Sequence, residues 1–277
     1  QSVPALDQLI ELLPRMKPRL YSIGSSPLWH PRQARIMAGV LNAPQRDGRV
    51  RRGLCSHYLA ARKPGDTVRI SLRAAPRRLP ADFAGPLLLV GAGTGVSALF
   101  GILQDRVARQ VRSGIDNPVA LYFGCRDEGE FLQRRHLIDW REQGFLGSLS
   151  VAFSRRGPAK VYVQDAIDEE GARVWDILGR PDSRFLICGD AKMAQDVEER
   201  VLGILQREAG FSYVAAVSFL RDLRADGRYI EDVWGVQLNR EVALPEMVRA
   251  KYDQGSGWMT RLQRALSLAG ALVLLAS

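Results

Sequence analysis

Cysteine and histidine are both scarce in this 277-residue chain, with three of each. Cys55, Cys125 and Cys188 are odd in number, far apart and without CxxC spacing, which excludes a disulfide framework and leaves no ligand set for a structural zinc. Free thiols of this kind fit a reducing cytoplasm, and no metal is expected. Long apolar runs are missing as well: "ALSLAGALVLLA", Ala265 to Ala276, stops short of the roughly 20 residues that span a bilayer. Acidic residues are in deficit, 30 against 39 Lys and Arg, and the resulting +9 favours anionic partners. The arginines behind that charge (Arg32, Arg35, Arg49, Arg51, Arg52, Arg77, Arg78) are scattered and accompany no nucleic-acid motif, so nucleic acid is not expected. There is no internal repeat and no signal-peptide pattern, and because the chain does not open on Met an upstream portion is expected.

What the chain does contain is enough apolar residue, 46%, to build a core, and a change of texture near residue 85. Before it, "RLYSIG", "ARIMAGVL" and "DTVRISLR" are short strand-like runs separated by the turn signals "RDGR" and "KPGD", which predicts a β-rich region over residues 1–84. After it, apolar runs ("PLLLVG", "VALYFG", "SLSVAFS", "RFLICG") alternate with helical patterns in "LFGILQDRVARQV", "FLQRRHLIDWREQ", around Val174 and in "AQDVEERVLGILQRE". That alternation predicts a parallel sheet with helices on both faces over residues 85–234, a doubly wound α/β domain.

Ligands of such sheets sit beyond the C-terminal strand ends, where this sequence places Gly91 to Gly95, Gly124 to Arg126, Ser154 with Arg155, and Cys188 to Asp190. In "VGAGTGVSALF" the glycines Gly91, Gly93 and Gly95 let a backbone approach a pyrophosphate at a helix start. In "AFSRRGPAKVYVQ" an extended segment would put Lys160, Tyr162 and Gln164 on one face and Val161 and Val163 on the other, beside Ser154 and Arg155. Such a group suits a 2′-phosphate, and no Asp or Glu intrudes to bind a ribose 2′-OH, so the reading is NADP over NAD. "RLYS" offers an arginine, a ring and a hydroxyl, with Arg19 and Tyr21 on one face of an expected strand and Ser22 on the other. "GLCSHYL" reads as a helix start with Ser56 in its first turn.

In this order, "LLPRMKPRLYSIGSSP", "GLCSHYL", "GAGTGV", "YFGCRDEGEFL", "AFSRRGPAKVYVQ", "ICGDA" and "GRYIEDVW" resemble the NADPH-dependent diflavin reductases, a ferredoxin-NADP reductase-like module. The resemblance implies part of an antiparallel FAD-binding β-barrel followed by an NADP-binding α/β domain, with FMN on a separate flavodoxin-like domain. By motif, Arg19, Leu20, Tyr21 and Ser22 would meet FAD phosphate, ring face and reactive edge; Met37, Ala38 and Gly39 would lie along it; Gly53, Leu54, Cys55 and Ser56 would hold its pyrophosphate. Gly93, Thr94, Gly95 and Cys125 would lie on the NADP path, with Ser154, Arg155, Lys160, Tyr162, Gln164 and Asp196 around its adenosine end. Ser22, Cys188 and Asp232 would surround the hydride transfer, and Trp234 would shield the flavin ring.

The expected activity is NADPH to FAD hydride transfer, then delivery to FMN, a flavodoxin-like protein or a haem partner. Two rivals stand beside it: a single-flavin ferredoxin or flavodoxin reductase, and a non-catalytic NADP-binding regulatory or membrane-assembly module with degraded FAD binding. This sequence departs from the family in reading "GTGVSA" where "GTGIAP" is usual, and in being one residue shorter after "CGDA". It also has only a short stretch before "RLYS" and continues past Trp234. In that extension, residues 235–277, Trp258, Arg261 and Arg264 precede the apolar run, as at the start of a membrane helix; a docking helix or the start of a further domain is the other reading.

Overall fold

The computed structural model describes residues 5–13, 16–75, 78–80, 82–113 and 118–235. Its centre is a five-stranded parallel sheet built from β3 (Leu87–Ala92), β4 (Val119–Cys125), β5 (Ser148–Phe153), β6 (Arg184–Asp190) and β7 (Tyr229–Trp234), in the spatial order β5-β4-β3-β6-β7. β3 is the middle strand, and Val90 lies opposite Tyr122 on one side and Ile187 on the other. A strand in that position has both faces covered, which is why it reads as an unbroken apolar run rather than an alternation.

Successive side chains of β3 feed two different cores. Leu88 and Val90 join Tyr122, Phe185 and Ile187 under α5 (Val163–Glu169), α6 (Gly171–Leu178), α7 (Ala191–Glu208) and α8 (Tyr213–Ala225). Leu87 and Leu89 join Leu121 and Phe123 under α3 (Val96–Ser113) and α4 (Arg134–Glu142). α7 shows why these segments are helices: Ala194, Val197, Val201, Ile204 and Leu205 are buried at three- and four-residue spacing, and the Asp190 carboxylate accepts from the Lys192 N–H at the start. α8, capped by the Ser212 hydroxyl, adds a helix beyond those expected from the sequence.

The segment after β5 corrects one expectation. Residues 160–164 are not an extended strand: Tyr162 is the N-cap of α5, and Gln164 already lies inside that helix. Val163, Ala166 and Ile167 are buried together at helical spacing, and Asp165 accepts the Tyr162 N–H, so period three-to-four prevails over the period-two alternation.

The first region is thinner than the sequence suggests. It contains α1 (Leu6–Leu12), β1 (Asn42–Pro44), β2 (Val50–Arg52) and α2 (Leu54–Ala60). β1 and β2 form an antiparallel pair, with Gly48 at φ 80° in the turn. "RLYSIG" and "ARIMAGVL" meet only at one bridge, Ile23 with Ile36, and "DTVRISLR" forms no strand among the described residues. A strand needs a neighbour for its backbone and a core for its alternate side chains. Ile70 and Leu72, each 76% exposed, have neither. The antiparallel module and the α/β domain are therefore both present, the former only as a small part of a barrel. No helix among the described residues is long and apolar enough to cross a membrane. The extension beyond Gly235 lies outside them.

Candidate active site

The strand order runs outward from β3 in both directions, so the crossovers to β4 and to β6 leave on opposite faces and a crevice opens at the C-terminal edge. The glycine turn sits there. Gly93, at φ 54°, turns the chain out of β3 into a short 3-10 turn, and a Cβ on Gly95 would overlap the carbonyl of Cys188 on β6. Only glycine lets that turn lie so close to the neighbouring strand.

A cleft of about 1110 Å³ runs from this turn along the sheet edge. Met37, Ala38 and Gly39 of the first region form one wall; Gly93, Thr94 and Cys125 line the floor. Ser154, Tyr162, Gln164 and Asp196 line the far end. Residues distant in sequence and drawn from both regions therefore meet around one cavity. Backbone bonds fix the far end: Ser154 N–H donates to Cys125 O at 2.9 Å and Arg155 N–H to Arg126 O at 2.8 Å. Arg155 and Lys160 are exposed and are not among the lining residues.

Lys192 lines the cleft and escaped the sequence reading, while Arg126, marked there only as part of a strand end, lines it too. Lys192 pairs with Asp196 at 3.2 Å, and Gln164 donates to the same carboxylate at 3.4 Å, so α5 and α7 are tied across the cleft. Arg126 pairs with Glu130. Each lies four residues from its partner, a spacing legible in the sequence only once the helix or turn is placed.

The other end of the crevice brings together Ser22, Cys188 and Asp232. Cys188 and Asp232 are direct neighbours across β6 and β7; the Ser22 hydroxyl and the Cys188 thiol, the latter at 3.6 Å, both donate to Asp232 Oδ2. Burial, and then the Asp232 carboxylate, push the thiol far above its ordinary range, so it stays protonated. Trp234, half-exposed, ends the same strand opposite Asp190.

Around the first region, burial and then the Cys55 thiol push the Tyr21 phenol up to about 12, while Arg19 pulls it down. Arg19, Tyr21 and Cys55 thus share one neighbourhood, although residues 16–22 form no strand. Leu20 points to solvent, 75% exposed. Gly53 is the N-cap of α2, and Leu54 is exposed. The Ser56 hydroxyl donates to Gly53 O at 3.2 Å and accepts from Leu41 N–H at 3.1 Å, so it is engaged within the chain. Among the described residues no cluster of His, Cys, Asp and Glu could hold a metal.

Both organic cofactors fit what is present. A Cβ built on Gly93 would meet nothing, so at that glycine the turn leaves its backbone open to the cleft, and the Ser22 hydroxyl reaches Asp232 on β7 from the first region, where Arg19 and Tyr21 lie close together. A parallel sheet carrying a glycine turn, joined at its C-terminal edge to an antiparallel module, defines the class of two-cofactor flavin and nicotinamide oxidoreductases. The FAD binding domain family matches residues 1–58, and the oxidoreductase NAD-binding domain family matches residues 89–199. The chain is 36% identical over 239 residues, 83% of its length, to an NADPH–cytochrome P450 reductase of Sus scrofa, and 35% identical over 237 residues to that of Drosophila melanogaster, in both cases covering 35% of the relative. It is also 36% identical over 241 residues, 85% of its length, to a nitric oxide synthase-like protein of Bombyx mori, covering 22% of it. The chain belongs to the diflavin reductase family, and carries its FAD-binding and NAD(P)-binding domains. It spans about a third or less of the length of these relatives.

Proposed function

We propose that the chain performs the NADPH-to-FAD step of a diflavin reductase, with residues 1–84 holding FAD, residues 85–234 holding NADPH, and electrons passing on to FMN, a flavodoxin-like protein or a haem partner. The observation that carries it is the three-residue polar contact of Ser22, Cys188 and Asp232, which joins the two regions at the crevice that the glycine turn also borders. FAD, when bound, supplies a hydride acceptor that can release electrons singly.

The chain's own part is alignment and polarity. The Asp232 carboxylate, accepting from a hydroxyl and a thiol that remains protonated, is a fixed anion at the meeting point and suits the positive charge that nicotinamide gains on oxidation. Thr94 and the glycine turn would hold pyrophosphate, and Ser154 with exposed Arg155 and Lys160 would hold the 2′-phosphate. Asp196, through Gln164 and Lys192, keeps the adenosine end in shape. Trp234 at the end of β7 would cover the flavin ring and yield to nicotinamide.

Support for a haem-protein acceptor comes from the relatives named as cytochrome P450 reductases. Three thiols outside any disulfide support a reducing cytoplasmic location. The test is optical: the purified protein should be yellow and bleach anaerobically with NADPH much faster than with NADH. Colourless protein that still binds 2′,5′-ADP would instead mark a nucleotide-binding module without flavin chemistry.

A further inference from the structure

The polar contact at Ser22 has a foundation in α3 that the activity alone does not call for. Along one stripe of that helix, at positions i, i+4, i+7 and i+8, lie Ser97, Gly101, Gln104 and Asp105. Ser97 and Gln104 are buried to within 2% of full coverage. The stripe faces neither the sheet nor solvent. It faces residues 22–26: Ser97 Oγ donates to Ser22 O at 3.2 Å, Ser26 N–H donates to Gln104 Oε1 at 3.0 Å, and Ser26 Oγ donates to Asp105 Oδ1 at 2.8 Å.

Two glycines make the approach possible. A Cβ on Gly101 would come within 3.0 Å of both Ile23 O and Ser25 N, and a Cβ on Gly24 within 2.9 Å of Ser97 O. All of these are backbone atoms, which cannot swing aside as a side chain can. Glycine inside a helix is otherwise a liability, since it destabilises a helix relative to alanine. Its presence at position 101 is accounted for by the backbone that crosses it. Just beyond the seam, Trp29 meets Trp140 edge-on at 5.9 Å, and Trp140 stacks on Phe100 at 5.1 Å, closing the contact at its other end.

We propose that Gly24 and Gly101 are positioning residues, a backbone-to-helix seam that sets where the Ser22 hydroxyl meets Asp232 and so fixes the alignment of the flavin-binding segment over the nicotinamide-binding edge. The seam begins two residues from Ser22, so a displacement of a few tenths of an ångström at Gly24 reaches the hydroxyl with little chain to absorb it. Its relevance to hydride transfer rests on the function proposed above; its existence as a mechanical link does not.

The experiment pairs two identical substitutions. In Gly203→Ala, on α7, the new Cβ meets only an Arg207 side-chain nitrogen at 3.4 Å; in Gly101→Ala it meets the crossing backbone. Both gain helix propensity. Amide hydrogen exchange at Gly24 and Ser26, whose N–H groups are bonded to Arg35 O and Gln104, should speed at least tenfold in Gly101→Ala and not in Gly203→Ala. In the FAD-loaded protein, single-turnover flavin reduction by NADPH should slow about tenfold in Gly101→Ala and more in Gly24→Ala, with the NADPH KM and the 2′,5′-ADP affinity held within about twofold. Unchanged exchange in Gly101→Ala would overturn the seam. Faster exchange with unchanged reduction would overturn its positioning role, as would parallel loss of 2′,5′-ADP binding, which would make the effect a general one. If wild-type protein shows no NADPH-dependent flavin reduction, the proposed function fails while the exchange result still decides the seam.

Discussion

Residues 16–75 and residues 82–235 are written in similar apolar language and fold to different degrees. "VRISL" and "PLLLV" both read as strands, yet Leu87, Leu88, Leu89 and Val90 are at most 1% exposed, whereas Ile70 and Leu72 are each 76% exposed. The difference lies in what surrounds them rather than in the runs themselves. β3 has β4 on one side, β6 on the other and helices over both faces, so Leu87 to Val90 have a ladder on each side and a core for their side chains. Residues 67–73 have no ladder among the described residues. Local propensity therefore proposes a strand, and only neighbours make one.

Core truncation should break this comparison most sharply. Leu121→Ala removes a fully buried side chain between β4 and the helices α3 and α4, and a cost of about 2–5 kcal/mol is expected from lost transfer energy plus the cavity left behind. Urea unfolding followed by tryptophan fluorescence measures it, and a cost under 1 kcal/mol would mean that the sheet is not the stable half of the molecule.

The second test separates binding from folding within the sturdier region. Arg155→Ala combined with Lys160→Ala alters exposed residues, so stability should hold. NADPH affinity should fall about 100-fold if each cation makes one charge-assisted contact worth ~1.5 kcal/mol, while NADH affinity stays put. Calorimetric titration with both dinucleotides decides it; equal losses for the two would contradict the 2′-phosphate assignment.

Alkaline pH should then distinguish the regions by where stability starts to fall. Burial and then Asp127 push the Cys125 thiol up to about 11, from an ordinary 9 in the unfolded chain. Between those values the unfolded state loses its proton first, so folding stability is complete below pH 9 and declines as pH climbs towards 11. Cys188, shifted in the same direction, adds to the decline in the α/β domain. In the first region Tyr21, pushed up to about 12 from 10, has the same sign but a window one unit higher. Urea midpoints at pH 8, 9, 10 and 11 should show the slope, and Cys125→Ala should flatten it; an unaltered slope would remove the thiol as its cause.

Much of the α/β domain was legible because continuous apolar runs bounded by glycine can only be buried parallel strands once helical patterns separate them, and the C-terminal strand ends then locate the cleft. The grouping of Ser22 with Cys188 and Asp232 was legible through family motifs rather than through any local signal, since 210 positions separate Ser22 from Asp232. Two features resisted reading for physical reasons. Residues 160–164 carry both an alternating and a helical pattern, and only the depth of the site that receives Val163 and Ile167 settles between them. The Ser97, Gly101, Gln104, Asp105 stripe is visible in "SALFGILQD", but small and polar residues on one helix face ordinarily signal solvent, and nothing local says that backbone lies there instead.

The gentlest substitutions bear on the weaker region. Ile70→Ser and Leu72→Ser remove apolar groups that contact little, so each should change stability by no more than about 0.5 kcal/mol. They should also lower self-association, because Ile70, Leu72 and the similarly exposed Leu6, Ile10 and Leu20 present apolar surface that water does not solvate well. Sedimentation velocity at several concentrations reads the second effect and urea unfolding the first. A stability loss above 1 kcal/mol from either serine would show that these side chains are covered in solution, and the contrast between the two regions would then be one of partners gained rather than of structure withheld.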